Sequence, residues 1–130
     1  MPAYDSILFN PPAPLANITL RNPNDGQTVP AVPMLLDSGA DVTLIPQTSA
    51  DQLGLVAAPN EGYELMGFDG STSVAQVVTL DLIFLKRVFR GRFLLTNQTW
   101  GILGRDVLNH VSLLLDGPGL NWNERKTSLP

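Results

Sequence analysis

Short runs of apolar residues, four to eight long, are separated by turn-forming residues along the whole chain. Their alternation, and their richness in Val, Ile, Leu and Thr, predicts strands rather than long helices. Ala16–Asn22 (ANITLRN) alternates as a half-buried strand does, and Asn24-Asp25-Gly26 supplies a turn that tolerates positive φ. Val29–Leu36 returns as its partner, with Pro30 and Pro33 predicting an edge position. Val42–Ile45 is a further short strand, and Pro46–Leu53 reads as a short helix closed by Gly54. Gly62–Val78 reads as a hairpin around Gly67-Phe68-Asp69-Gly70, and Val77–Phe84 and Val88–Leu95 as strands paired across Lys86-Arg87. Ile102-Leu103 is a brief apolar strand, Asp106–His110 a turn or two of helix, and Val111–Leu115 with Leu120–Trp122 a closing hairpin about Asp116-Gly117-Pro118-Gly119. Many short strands with dense punctuation predict an all-β barrel or sandwich. Residues 1–15, which hold Pro2, Pro11, Pro12 and Pro14, read as an extended arm ahead of one domain spanning 16–130.

Composition narrows the chemistry. The 130 residues are enough for one core. Hydrophobic residues at 44% against charged residues at 15% exclude a disordered chain, and leave apolar surface available to a partner. The net charge of −4 argues against a general nucleic-acid binder. With no cysteine there is no disulfide, thiol nucleophile or zinc–thiolate site, and a lone His110 excludes a multi-histidine metal site in one chain. No apolar run is long enough to span a membrane. The opening MPAYDSILFNPP has neither a basic region nor a long apolar stretch, so no secretory leader is expected, and a cytoplasmic location is. On that footing Asn17-Ile18-Thr19 and Asn97-Gln98-Thr99 are not expected to carry glycans. The cluster Lys86-Arg87-Val88-Phe89-Arg90-Gly91-Arg92 reads as a solvated hairpin rather than a nucleic-acid patch.

The chemically informative stretch is Met34–Pro46, MLLDSGADVTLIP. A strand that buries Leu35 and Leu36 delivers Asp37 to the turn at its end. Gly39 lets the backbone bend and be approached closely, and Ser38 can lock the turn through its hydroxyl. A carboxylate on a rigid, partly dry loop is a candidate for acid–base chemistry. Asp-Ser-Gly alone is an ordinary turn tripeptide. Its context is not: an apolar lead-in, Ala40-Asp41 behind it, and a second element late in the chain, Trp100–Asn109 (WGILGRDVLN).

In these two segments the sequence resembles the retropepsin family, the retroviral-type aspartic proteases. Leu36-Asp37-Ser38-Gly39-Ala40-Asp41 is similar to that family's L-D-[ST]-G-A-D signature, and Ile102-Leu103-Gly104-Arg105-Asp106 to its apolar-apolar-Gly-Arg-[ND] element. Glu64–Gln76 (ELMGFDGSTSVAQ) is similar to the flap hairpin between them. Order and spacing agree from about Ala16 to Trp122, and the closing hairpin is more like that of the cellular members in DNA-damage-inducible proteins. The resemblance implies an all-β acid-protease barrel with one short helix near the C-terminal end, assembled as a C2 homodimer. It implies an aspartic endopeptidase acting on extended peptides, with Asp37 catalytic, Ser38 and Gly39 supporting the loop, and Gly39, Ala40, Asp41, Met66, Gly67, Phe68, Asp69 and Gly70 against substrate. Asp41 and Arg105 would form a structural ion pair. No metal or cofactor is expected, and no nucleic acid or membrane partner.

The mechanism requires two carboxyls about 3 Å apart sharing one proton and one water. The chain carries one Asp-Ser-Gly; Asp69-Gly70-Ser71 has the wrong order and Asp116-Gly117-Pro118 lacks the hydroxyl. The second acid must come from a second copy, as C2 symmetry provides. The competing reading is a non-catalytic dimeric peptide-binding or assembly module on the same fold.

Overall fold

The computed structural model describes residues 2–66 and 72–126. In chain order the elements are β1 (Tyr4–Asp5), β2 (Ala13–Arg21), β3 (Thr28–Leu36), β4 (Leu44–Pro46), α1 (Gln47–Gln52), β5 (Ala58–Met66), β6 (Thr72–Phe84), β7 (Arg87–Thr96), β8 (Gly101–Leu103), α2 (Arg105–Leu108), β9 (Leu113–Asp116) and β10 (Asn121–Glu124). The larger sheet runs β1-β2-β3-β8-β4-β7-β6-β5, and β2 also pairs with β6. That extra pairing closes β2, β3, β8, β4, β7 and β6 into a six-strand barrel, which leaves none of the six with a fully open edge. β9 and β10 form a separate two-stranded sheet.

Alternation along each strand fills the barrel. Ala16, Ile18 and Leu20 of β2, Val32, Met34 and Leu36 of β3, and Val78, Leu80, Leu82 and Phe84 of β6 point inward and are buried. Ile45 and Leu103 close the core from β4 and β8. Each fully buried aliphatic side chain contributes roughly 2 kcal/mol by leaving water.

The seam between β2, β6 and β7 is held by charge. Arg21 lies opposite Asp81, and Asp81 opposite Arg90, in successive registers. Arg90 Nε and Nη2 donate to the two carboxylate oxygens at 2.7 and 3.0 Å, and Arg21 Nε donates at 2.9 Å. Asp81 is wholly buried, yet the Arg90 hydrogen bonds outweigh the cost of burial and, with Arg21, pull its pKa from 3.8 to about 2.

The structure corrects two local expectations. β3 is not an edge strand: it lies between β2 and β8. Its prolines are tolerated because the three-residue β8 pairs only with Met34, Leu35 and Leu36. Pro30 also sits in a bulge, where Ile18 pairs with Val32 but Leu20 with Val29 and Ala31 takes φ 57°. Both short helices form where expected, α1 within Pro46–Leu53 and α2 near the C-terminal end. The strand predicted over Val42–Ile45 is shifted to Leu44–Pro46, because Val42 and Thr43 instead pass over Gly104.

The first residues are woven into the fold. Trp122 N–H donates to the Pro2 carbonyl at 3.0 Å, and Tyr4 N–H to that of Leu120 at 2.9 Å. Tyr4 and Asp5 pair with Pro14 and Ala13. Phe9 sets its edge on Trp100 at 4.9 Å between ring centroids. Buried Trp122 donates from Nε1 to the Leu15 carbonyl at 3.0 Å.

Candidate active site

β3 and β8 are adjacent and parallel, with Leu36 level with Leu103. Both strands end there, so Asp37 and Gly104 leave the barrel side by side. Asp37 N–H donates to the Leu103 carbonyl at 3.1 Å, which carries the ladder one residue further. The chain then turns: Ala40 N–H donates to the Asp37 carbonyl at 3.1 Å, and Gly39 N–H to Asp37 Oδ1 at 3.0 Å. A Cβ at Gly39 would stand 3.2 Å from that oxygen, so glycine keeps the carboxylate uncrowded. Asp37 is partly buried, while Ser38 and Gly39 are exposed. The acid is thus held by its own turn and open to one side.

The loop is clamped by the start of α2. Arg105 N–H donates to the Ala40 carbonyl at 2.9 Å and Arg105 Nη1 to the Ser38 carbonyl at 2.7 Å. Arg105 Nη2 pairs with Asp41 Oδ1. One side chain and its own amide therefore fix three points of the turn, although the ion pair is exposed and by itself contributes little.

Beneath lies a grip that the sequence did not reveal. A Cβ on Gly104 would fall 2.5 Å from the Val42 carbonyl carbon and oxygen, so only glycine lets the two backbones cross. Gly104 N–H donates to Thr43 Oγ1 at 3.1 Å. That hydroxyl donates to Asp106 Oδ1 at 2.6 Å, and Thr43 N–H donates to Asp106 Oδ2 at 3.1 Å. Thr43 is fully buried and satisfied in each role. Asp106 closes the second motif and Thr43 lies two residues past the first, but their contact across the fold was not readable.

Asp37, Ser38, Gly39, Ala40, Asp41 and Arg105 thus lie together on one rim of the barrel. The side chain of Met66 and the residues Gly67, Phe68, Asp69 and Gly70 lie outside the described residues, although the backbone pairs Met66 with Thr72 at the end of the β5–β6 hairpin. Among the described residues the two acids nearest in the fold's motifs are already partnered, Asp41 with Arg105 and Asp106 with Thr43, and neither is hydrogen-bonded to Asp37. Among the described residues no group of three or more His, Asp or Glu is placed to hold a metal ion, and no helix is long and apolar enough to cross a membrane.

A family profile described as aspartyl protease matches residues 20–107, from the end of β2 to α2, and so takes in both motifs. The chain belongs to the aspartyl protease family. Its barrel is similar to a solved structure of the EIAV protease in complex with the inhibitor HBY-793, at TM-score 0.57 and 23% identity, covering 75% of this chain and 86% of that one. No curated protein matches. The fold is retropepsin-like and the activity of the family is that of an aspartic endopeptidase.

Proposed function

We propose that the protein hydrolyses peptide bonds as a C2 homodimer, with Asp37 from each of two copies forming the catalytic pair across the axis. The observation that carries the proposal is one Asp-Ser-Gly turn per chain, locked at the barrel rim by Leu103 and Arg105 with its carboxylate partly open. Two such carboxyls side by side cannot both ionise and share a single proton. The ionised one takes a proton from water as the oxygen attacks the scissile carbonyl. The protonated one hydrogen-bonds to that carbonyl oxygen and stabilises the tetrahedral intermediate as charge develops there. Collapse breaks the C–N bond, the leaving nitrogen takes up a proton, and the pair returns to its one-proton state.

Gly39, Ala40 and Asp41 would border an extended peptide from below, and Met66, Gly67, Phe68, Asp69 and Gly70 from above. Residues 16–130 would make up the catalytic domain and residues 1–15 its arm. Surface for association is available on the outer hairpin, where Leu114, Leu115 and Leu120 are about half exposed.

The test is a digest of an unstructured protein at mildly acidic pH by wild type and Asp37→Asn. Cleavage should fall by about 10⁴-fold or more in the variant while its circular dichroism is unchanged. Equal cleavage by both proteins would remove Asp37 from the chemistry. No cleavage by either, with dimeric mass intact, would favour the binding-module reading.

A further inference from the structure

The far end of α2 opens into a depression of about 540 Å³ with no part in the chemistry above. Its wall gathers residues from three separate segments: Arg87 at the start of β7, His110 and Ser112 after α2, and Glu124, Arg125 and Lys126 at and beyond the end of β10. The chain has eight Lys and Arg residues. Arg21 and Arg90 are committed to Asp81, and Arg105 to Asp41. Five remain, Lys86, Arg87, Arg92, Arg125 and Lys126, and none forms an ion pair among the described residues. Three of these five line the one depression, and Lys86 adjoins it in sequence. A molecule of net charge −4 thus sets three of its five uncommitted cations around one depression.

The place is built rather than incidental. Arg125 N–H donates to the Ser112 carbonyl at 2.7 Å, which ties the chain after β10 to the segment after α2. Arg87 Nη1 donates to the His110 carbonyl, which fixes the guanidinium against the same segment and leaves its other N–H groups for a ligand.

We propose that this depression binds an acidic segment of a polypeptide. Guanidinium groups pair with carboxylates in a planar, two-point fashion, and three cations within one concavity suit two or three neighbouring acidic side chains. Glu124 in the wall opposes phosphates and carboxylates alike, but it can accept a hydrogen bond from a peptide N–H, a donor that a sugar–phosphate backbone lacks. The overall negative charge likewise opposes a long polyanion at distance while leaving a local, short-range site intact. The four residues of α2, about 6 Å of rise, connect this wall to Arg105 and the Asp37 loop. A polypeptide held here by its acidic stretch would lie close to that loop, yet the binding requires nothing of Asp37.

The experiment is fluorescence anisotropy with a labelled hexaglutamate peptide and the full chain carrying Asp37→Asn, so that a failure of the peptidase reading does not affect the result. Saturable binding at low ionic strength is expected, weakening as salt rises. An Arg125→Glu/Lys126→Glu double variant should lose at least about tenfold in affinity with its fold intact by circular dichroism, whereas Arg92→Glu, a charge reversal outside the depression, should not. Absence of binding, an equal loss with Arg92→Glu, or tighter binding of a single-stranded RNA of the same charge would overturn the proposal.

Discussion

Gly104 is the residue at which the two halves of the candidate site touch. Its missing side chain is what lets the Val42 backbone cross closely and bring Thr43 to the Gly104 amide. Gly104→Ala should therefore destabilise the fold by about 3 kcal/mol or more, read as a lowered denaturation midpoint, because the clash is with backbone and cannot be relieved by a rotamer change. Retention of wild-type stability would mean that the crossing is looser than described. Asp37 and its turn were legible from the sequence because everything that shapes them is local: a strand that ends, a serine, a glycine. Thr43 and Asp106 were not, since their hydrogen bonds span 63 residues and no periodicity reports such a contact.

Among the elements, the barrel seam and the β6–β7 turn make separate demands. The Asp81 carboxylate has its pKa lowered in the folded state, from 3.8 to about 2. Its stabilisation is thus complete above about pH 4 and is lost as pH falls through 2. Asp81→Asn should cost about 2 kcal/mol at neutral pH, and should flatten the fall in melting temperature expected of wild type between pH 4 and 2. Parallel acid profiles for the two proteins would deny Asp81 that role. The strands of this seam were legible one by one, but the role of Asp81 shows only when β2 and β7 are laid on either side of it. At the turn, Leu85 and Lys86 both hold positive φ, 53° and 63°, without being glycine or asparagine. Lys86→Gly should relieve about 1 kcal/mol of backbone strain and raise the melting temperature by a few degrees. A fall instead would show that the lysine side chain contributes more than the conformation costs.

For the whole molecule, closure of the barrel by β2 on β6 is the feature that a strand-by-strand reading could only leave open between barrel and sandwich. The same scale holds the claim of a half-site. If each chain brings one acid, initial rates should rise with the square of concentration while the dimer is mostly dissociated, and linearly once it is formed. A linear dependence throughout, from a species monomeric by sedimentation, would mean that one chain suffices.

The pairing of β3 with β8 also orders events in time. Ser38 is gripped by an arginine 67 residues further along, and Asp37 by the carbonyl of Leu103. During synthesis the acid emerges from the ribosome long before the segment that shapes it, and a nascent chain ending short of Leu103 carries the carboxyl on an unformed loop. On the proposed function, a nascent chain therefore gains a shaped carboxyl only once Leu103 and Arg105 have been made, and with it the first half of a cleaving site.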